Sequence, residues 1–295
     1  MGNNVLVSLP LEVKNSTFFT PMKEPKIITF FNHKGGVGKT TLAVNLAAAY
    51  AKMGQKTLVI DNDGQMNATY YLDVNYEFKD RPENMEGVYN QSLVEIPFVK
   101  VATTENLYLA PAGEQLERIG FDMYRNYPIV SESYFLLKKA IDRLEGMFDV
   151  IIIDSGPTHV SPLIYNALVA SNGMIVPVDA SGPNGFQGVQ TVISIFNEIR
   201  FENLNPNLKL LGFLVNKSQE SFSSKLLGHS LQAFTERSEL RQATFKTEIQ
   251  ESRKLMTSQW KRIPITAVAA EKAYWKLFRE LIKEINKKYT VLTNQ

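Results

Sequence analysis

The chain contains 295 residues, of which 44% are apolar, so it is long enough for one large α/β domain or two small ones with a buried core. It has no cysteine, which excludes disulfides, iron–sulfur clusters and thiolate metal sites, and its three histidines are too few to favour a zinc site. The net charge of +2 is unevenly placed: residues 225–295 hold 14 Lys and Arg against 7 Asp and Glu, a net of +7, and the remainder holds 18 against 23, a net of −5. A cationic end on a mildly acidic body indicates a polyanionic partner.

Residues 1–25 are predicted to be a short extension, interrupted by Pro10, Pro21 and Pro25 and too small to be a domain. The N-terminus lacks the basic start and apolar stretch of a signal peptide, and no window reaches the roughly 18 apolar residues of a membrane span. Leu6 also breaks the myristoylation pattern. We therefore expect a cytoplasmic protein in which residues 26–295 make one domain, with a basic helical region at 225–295.

From Lys26 onward, apolar runs rich in β-branched residues alternate with helical patterns. The first helix is predicted at TTLAVNLAAAYAKM (40–53). Predicted strands are KIITFF (26–31), KTLVID (56–61), FDVIIID (148–154), GMIVPVD (173–179) and KLLGFLVN (209–216). Because these strands are continuously apolar rather than alternating, both of their faces are covered. The pattern predicts an α/β fold with a doubly wound, mainly parallel sheet and helices on both faces.

Polar residues follow these predicted strands. In such sheets, ligands bind beyond the carboxyl ends of the strands. The residues found there are Lys34–Thr41 after the first strand, then Asp61, Asp63, Asp154, Asp179 and Asn216. The sequence therefore predicts that five strand ends converge on one polar site.

The turn after the first strand has the composition of a phosphate-binding loop. Gly35, Gly36 and Gly38 allow backbone N–H groups to point at an anion, and the helix that follows adds its positive N-terminal end. Lys39 is expected to reach the β- and γ-phosphates, and the Thr40 hydroxyl to bind Mg²⁺. We predict that the nucleotide contacts Gly35, Gly36, Val37, Gly38, Lys39, Thr40 and Thr41.

His33 occupies the position of the first glycine in the usual G-x-x-x-x-G-K-[ST] pattern. The form KGGVGKTT (34–41) instead resembles the deviant Walker A motif of the ParA/MinD family of P-loop ATPases. That resemblance implies that Lys34 crosses a dimer interface and contacts the phosphates of the ATP bound by the partner. A cation supplied in this way would act as an arginine finger does, with Lys34 and Lys39 both in catalytic roles.

The segment LVIDNDGQMNATYYL (58–72) resembles the second motif of the family, D-x-D-P-Q-G-N-A-T. The resemblance implies that Asp61 lies in the Mg²⁺ shell and that Asp63 positions the attacking water. Gly64 and Met66 replace the usual proline and glycine, so we expect a loop that is more mobile at 64 and more crowded at 66. Asp154 resembles a Walker B aspartate, which would accept a hydrogen bond from Mg²⁺-bound water.

Two further strand ends belong to the expected site. Asp179 and the loop 181–188 occupy the position of the dimer-facing switch region of the family. Asn216 either contacts the adenine edge through its amide or is a buried asparagine with its hydrogen bonds made within the protein. The sequence leaves both interpretations of Asn216 open.

The last long helical pattern, residues 268–289, is amphipathic when projected at 100° per residue. Its apolar face contains Ala270, Tyr274, Leu277, Phe278, Leu281 and Ile285. The opposite face is a basic stripe of Lys272, Lys276, Arg279, Lys283 and Lys287. This stripe is either a solvated face or a surface that binds DNA through phosphates without reading bases.

The segment FKTEIQESRKL (245–255) resembles the family's T-x-I-P-R-x-x-R-L motif, and it adds Arg253 and Lys254 to the predicted DNA-binding residues. Lys261 and Arg262 are expected to extend the patch. A membrane-anchoring role for the last helix, as in the MinD branch, is less favoured because its apolar face is needed to cover the sheet.

As a whole, the resemblance implies a ParA-type partition ATPase that uses ATP and Mg²⁺. Its ATP-bound dimers would bind DNA non-specifically on the nucleoid, and a ParB-like centromere-binding partner would stimulate hydrolysis. One alternative is a MinD-like membrane-cycling or cargo-positioning ATPase. Another is a metabolic enzyme of the same superfamily, of which the reductase branch is excluded by the absence of cysteines.

Overall fold

A computed structural model describes residues 24–72, 83–126, 130–157, 161–181, 188–219 and 244–293. Three predicted features therefore lie wholly or largely outside the described residues. They are the extension at 1–25, the switch loop at 181–188 and the part of the basic region that precedes residue 244.

The described residues form one sheet of eight strands. The strands are β1 (Lys26–Phe30), β2 (Thr57–Asn62), β3 (Val99–Lys100), β4 (Leu107–Ala110), β5 (Val150–Ser155), β6 (Gly173–Asp179), β7 (Lys209–Ser218) and β8 (Ile249–Gln250). Their order across the sheet is β3-β4-β2-β5-β1-β6-β7-β8. Only β3 runs antiparallel to its neighbour within the described part.

Helices cover both faces of this sheet. They are α1 (Lys39–Lys52), α2 (Asn67–Leu72), α3 (Met85–Tyr89), α4 (Leu116–Asn126), α5 (Leu136–Asp142), α6 (Pro162–Ala170), α7 (Val189–Phe201), α8 (Arg253–Trp260) and α9 (Lys272–Thr293), with a 3₁₀ turn at Val130–Phe135. Side chains of α1, α2, α8 and α9 belong to one hydrophobic cluster, and those of α3 to α7 to two others.

Strand β5 shows why the predicted strands are continuously apolar. Ile152 packs into the cluster on the α1 side, whereas Ile151 and Ile153 pack into the cluster on the other side. All three are fully buried. Alternate side chains of a strand point to opposite faces, so a strand covered twice needs apolar residues at every position. The predicted doubly wound α/β fold is confirmed.

The five strands predicted from sequence are neighbours in the sheet, in the order β2-β5-β1-β6-β7. Because they are parallel, their carboxyl ends lie along one edge, which is where the polar residues were expected. The outer strands β3, β4 and β8 were not predicted from the sequence, and they have only two to four residues each.

The last helix differs from its predicted bounds. It begins at Lys272 rather than at residue 268, since the segment before it runs in turns and Thr266 of that segment hydrogen-bonds to Asn45 of α1. Ala270 was expected on the apolar face, but it precedes the helix and is exposed. The other predicted apolar residues are buried or half-buried as expected.

In the described residues, the search for a helix both long enough and apolar enough to cross a membrane finds none.

Candidate nucleotide-binding site

The phosphate loop joins β1 to α1, and its backbone requires glycine where it meets β7. Gly38 has φ +90°, in the left-handed region, and caps the N-terminus of α1. A Cβ at this position would lie 2.3 Å from the Asn216 Nδ2 atom. Any larger residue would therefore be strained in its backbone and would collide with β7.

Asn32, two residues after the end of β1, holds the start of the loop. Its Nδ2 donates to the Pro177 carbonyl of β6 at 2.8 Å, and its Oδ1 accepts from the Lys34 backbone N–H at 3.0 Å. It is fully buried. The sequence analysis did not single out Asn32, although a polar residue between a buried strand and a glycine-rich turn is a usable signal.

Lys39 is buried at the first position of α1. Its Nζ donates to the carbonyls of Asn32 at 2.9 Å and Lys34 at 3.3 Å. Burial lowers the pKa of Lys39, and the nearby carboxylates of Asp154 and Asp63 oppose that shift. The ammonium group is thus held between the backbone of the loop and an acidic cluster.

Asp154 lies at the centre of the acidic cluster. It is the register partner of Asp61 on β2 and of Phe30 on β1, and it is fully buried. Among the described residues, neither of its carboxylate oxygens has a hydrogen-bond partner of normal geometry. Burial, followed by the charge of Asp61, raises the pKa of Asp154 well above its usual value, and the Thr40 hydroxyl and Lys39 oppose the rise.

Asp61 links β2 to α2. Its Oδ2 accepts from both the backbone N–H and the hydroxyl of Thr69 at 2.7 Å, and its Oδ1 accepts from the Asp63 N–H at 3.3 Å. The Thr69 Oγ1 in turn accepts from the Ala112 N–H at 3.0 Å. Burial raises the pKa of Asp61 to about 7, although these hydrogen bonds oppose it. A role for Asp61 in the Mg²⁺ shell stays a prediction.

Asp63 is buried beside Asp61. Its Oδ1 accepts from the Gln65 N–H at 3.0 Å, and burial raises its pKa while Gln65 and Lys39 oppose the shift. In the part of the chain that the structure describes, this is the hydrogen bond that the carboxylate accepts, so it keeps lone pairs for a further donor. The arrangement is compatible with the predicted role of Asp63 in positioning water.

The loop after Asp63 packs closely at both positions where it departs from the family motif. A Cβ at residue 64 would lie 2.8 Å from Glu117 Cγ and 3.0 Å from its backbone N, so Gly64 packs closely against α4, and its expected mobility stays a prediction. Met66 is buried with φ +54°, a conformation that glycine adopts without strain and that costs other residues about 1 kcal/mol. This agrees with the crowding expected at position 66.

The end of β7 holds the other side of the phosphate loop. The Asn216 Nδ2 donates to the Val37 carbonyl at 2.8 Å, so the amide makes a hydrogen bond within the protein; contact with adenine stays a prediction. Lys217, which the sequence analysis missed, donates to the Gly36 carbonyl at 2.7 Å and to Asp179 at 2.9 Å. Burial would raise the pKa of Asp179, but hydrogen bonds from Ser181 and Lys217 lower it overall.

The residues at this site fit a magnesium ion. Three buried carboxylates face one buried ammonium, and the unpaired oxygens of Asp154 leave a place for a hydrated cation. In the described ranges, no group of three or more His, Cys, Asp or Glu residues could hold a metal by itself. Mg²⁺ commonly keeps several waters and shares its ligands with substrate phosphates, so a set of Thr40, Asp61 and Asp154 suits it.

The predicted DNA-binding residues lie on α8 and α9, and all seven are exposed. Two of them are paired: the Lys254 Nζ lies 3.0 Å from Glu271, and the Lys283 Nζ lies 2.9 Å from Glu280. The remaining five are Arg253, Lys272, Lys276, Arg279 and Lys287. Nearby Lys261 is exposed and Arg262 is half-buried.

Comparisons with known proteins agree with this geometry. The AAA_31 family, described as an AAA domain, matches residues 25–210. The chain is 37% identical over 188 residues to the chromosome-partitioning ATPase Soj of Thermus thermophilus, which covers 64% of this chain and 68% of that protein. It is 33% identical over 192 residues to the sporulation initiation inhibitor protein Soj of Bacillus subtilis, which covers 64% of this chain and 72% of that protein.

A solved structure with the same fold is the complex of McdA from Cyanothece with ATP. It superposes with a TM-score of 0.76 at 18% identity and covers 89% of this chain and 96% of that chain. The family match spans more than half of the sequence and includes the phosphate loop and the Asp61, Asp63 and Asp154 positions. The chain therefore belongs to the AAA_31 family of AAA domains and is a member of the ParA/MinD family of P-loop ATPases.

Proposed function

We propose that this protein is a ParA-type ATPase that segregates plasmid or chromosomal DNA. It binds ATP with Mg²⁺ at the phosphate loop, forms a dimer around two ATP molecules, and hydrolyses ATP to ADP and phosphate. The dimer binds DNA on the nucleoid without sequence preference, and a ParB-like centromere-binding partner stimulates hydrolysis. Relatives named for chromosome partitioning support this proposal.

The observation that carries the proposal is that, within the described ranges, neither oxygen of the buried Asp154 makes a hydrogen bond of normal geometry. A buried carboxylate with no hydrogen bond costs several kcal/mol unless a partner is supplied. Asp154 lies beside Lys39 and Thr40 at the start of α1, where backbone N–H groups and the helix dipole favour an anion. A ligand made of a metal ion and phosphates supplies a partner for the Asp154 carboxylate and places an anion at the start of α1.

Thr40, Asp61 and Asp154 are the residues that would hold Mg²⁺. The Asp61 Oδ2 atom already accepts two hydrogen bonds, so Oδ1, which accepts one, has the further lone pair for a water of the metal shell. When bound, the ion would offset the negative charge of the β- and γ-phosphates.

Three residues act on the γ-phosphate in this proposal. Lys39 reaches the β- and γ-phosphates from within the subunit, and Lys34 of each subunit contacts the phosphates bound by the other. Both cations stabilise charge on the transferring phosphoryl group, and Asp63 orients the attacking water by accepting a hydrogen bond from it. The burial of Asp63 and Lys39 protects these charges from solvent screening.

The basic residues of α8 and α9 bind DNA phosphates in this proposal. The apolar side of α9 supports DNA rather than a lipid surface as the partner, because Phe278, Leu281 and Ile285 are fully buried in the core. A membrane-bound helix would need such side chains for the lipid. The exposed cations of the stripe need no rearrangement to meet a polyanion.

Light scattering of the Asp63→Ala variant tests the proposal. With saturating ATP and Mg²⁺ we expect the mass of a dimer, because ATP is bound but turned over slowly, and without nucleotide we expect a monomer. Asp142→Ala, at an exposed carboxylate of α5 paired with Lys138, is the matched control and should dimerise only transiently. A monomeric Asp63→Ala protein at saturating ATP and Mg²⁺ would refute the proposed dimer.

The same dimer can be passed over immobilised DNA and over vesicles of anionic lipid. We expect ATP-dependent retention on DNA and none on vesicles. Retention on vesicles alone would instead favour the MinD-like alternative.

A further inference from the structure

Helix α8 contacts the phosphate-loop helix directly. The Gln259 Nε2 donates a 2.6 Å hydrogen bond to the Thr41 Oγ1, which lies in the first turn of α1. The two residues are 218 positions apart in sequence. Gln259 is thus a side chain of the basic C-terminal region that touches the expected nucleotide site.

The neighbouring residue Ser258 makes a second, buried connection. Its Oγ donates to the Leu255 carbonyl at 2.7 Å, so in its 2.5 Å contact with Tyr71 the tyrosine hydroxyl is the donor. The Tyr71 oxygen in turn accepts from the Asn45 Nδ2 at 3.1 Å. One directed chain of hydrogen bonds therefore joins α1, α2 and α8.

These two connections reach both sides of the site. Thr41 and Asn45 belong to the phosphate-loop helix, and Tyr71 belongs to α2, the helix that Asp61 holds through Thr69. Helix α8 is consequently fixed to the phosphate loop by Gln259 and to the Asp61 side by Ser258.

The direction of the Gln259 hydrogen bond determines what the Thr41 hydroxyl can do. A hydroxyl has one hydrogen to donate and two lone pairs. An amide N–H can only donate, so the Thr41 oxygen is the acceptor and its own hydrogen stays available for an anion. A hydroxyl that already accepts a hydrogen bond is also polarised towards donating one.

We propose that Gln259 is a positioning residue for the bound nucleotide: it orients the Thr41 hydroxyl towards the phosphates and so links nucleotide binding to the seating of α8. This inference rests on the proposed function, because Thr41 must lie against ATP. The outer face of α8 bears exposed Arg253, Met256 and Trp260. Because nucleotide binding is linked to the seating of α8, the position of this face depends on the nucleotide.

ATP affinity of Gln259 variants tests the hydrogen bond. We expect Gln259→Ala to weaken ATP binding by about 3- to 10-fold, the range for one lost hydrogen bond. Gln259→Glu has nearly the same shape but accepts the Thr41 hydrogen and adds negative charge, so the loss should exceed about 10-fold. Thr257→Ala, at an exposed site on α8, is the control and should bind ATP as the wild type does.

A double-mutant cycle separates this role from general loss of structure. In a Thr41→Val background, Gln259→Ala should cause no further loss of ATP affinity, because the hydroxyl that it orients is already absent. Thermal unfolding of each variant reports whether the fold is intact. Additive losses in the cycle would contradict a role through Thr41.

Trp260 provides a spectroscopic test of the link to α8. The chain has two tryptophans, so Trp275→Phe leaves Trp260 as the sole fluorophore, and Trp260 is 87% exposed next to Gln259. We expect ATP to change Trp260 emission in this background and the change to be lost with Gln259→Ala at saturating ATP. Trp275→Phe is first checked for wild-type ATP affinity and melting temperature.

The outcomes distinguish the proposed ATPase function from the positioning role of Gln259. Wild-type protein that binds no ATP overturns the proposed function and this inference together. Wild-type ATP binding with unchanged affinity and unchanged Trp260 response in Gln259→Ala overturns the inference alone.

Discussion

The nucleotide end of the sheet and the basic C-terminal region carry charge in opposite ways. At the nucleotide end, Lys39, Asp61 and Asp154 are buried, and each occupies a position set by a strand end or a loop carbonyl. In the basic region, the predicted DNA-binding cations are exposed, and two of them already have acidic partners.

This contrast in burial sets the size of the effect that we expect from substitutions in each region. Charges in a buried site interact through a low dielectric, so the loss of one leaves others uncompensated. Exposed charges are screened by salt within about 10 Å and contribute in small, nearly equal amounts. We therefore expect large, all-or-none effects at the nucleotide end and graded, salt-dependent effects in the basic region.

The largest effect is expected for Lys39→Ala. Removal of this buried cation takes away a phosphate ligand and leaves Asp154 and Asp63 without their nearest compensating charge, so hydrolysis should fall by about 10³-fold. Phosphate release at saturating ATP measures the loss. Lys138→Ala, at an exposed lysine of α5, is the control and should retain wild-type turnover. Retained turnover in Lys39→Ala would contradict the assigned site.

Lys34→Ala should lower hydrolysis by about 10²-fold or more while ATP still binds. If Lys34 acts across the dimer, mixing this variant with Asp63→Ala should restore part of the activity. Each mixed dimer then has one complete site, with Asp63 from one subunit and Lys34 from the other. Phosphate release as a function of mixing ratio measures this complementation, and a mixture as inactive as its components would show that Lys34 acts within its own subunit.

Substitutions at two glycines of the phosphate loop should separate an effect on ATP binding from an effect on the stability of the fold. A Cβ at Gly35 meets no atom within 4 Å, so Gly35→Ala should change the free energy of unfolding by less than about 0.5 kcal/mol, yet weaken ATP binding about 10-fold by crowding the phosphates. Gly38→Ala should destabilise the fold by about 1–3 kcal/mol because of its φ and the contact with Asn216.

Chemical denaturation and nucleotide titration measure the two quantities for both glycine variants. Equal loss of stability in both would indicate that Gly35 serves the fold rather than the ligand.

The smallest effects are expected in the basic stripe. Lys276→Glu should reduce DNA retention a few-fold and lower the slope of log K against log salt by about 1, without changing ATP affinity. Lys283→Glu should have a smaller effect, because Glu280 already neutralises part of the Lys283 charge. Salt titrations of DNA binding compare the two, with Lys138→Glu on the other side of the sheet as the control. If the salt dependence of DNA binding had the same slope in all three variants, the basic stripe would not be part of the DNA interface.

Much of the fold and the location of the site could be predicted because the relevant signals are local. A run such as FDVIIID specifies a strand that is buried on both faces. Asp154 is the last residue of this run, so it was expected near the end of the strand, which ends at Ser155. The glycine spacing around Lys39 likewise specifies a loop within ten residues. No long-range information is needed for these features.

Two of the missed residues have roles that depend on contacts between distant segments. Lys217 matters because it reaches Gly36, and Gln259 matters because it reaches Thr41, and neither pairing follows from local pattern. Gly64 packs against Glu117 of α4, a contact that is likewise unseen in the local motif, and the mobility expected at Gly64 stays a prediction. Tertiary packing decided each of these positions.

The place of β1 in the sheet has a consequence for how the chain is made. β1 is synthesised well before its two neighbours, β5 and β6, which begin only at Val150 and Gly173. Until those segments are synthesised, the apolar residues of β1 have no strands to pair with, and such non-local pairing slows folding. Newly made chains should therefore depend on chaperones over this interval, and the binding of nucleotide should report when the sheet has closed.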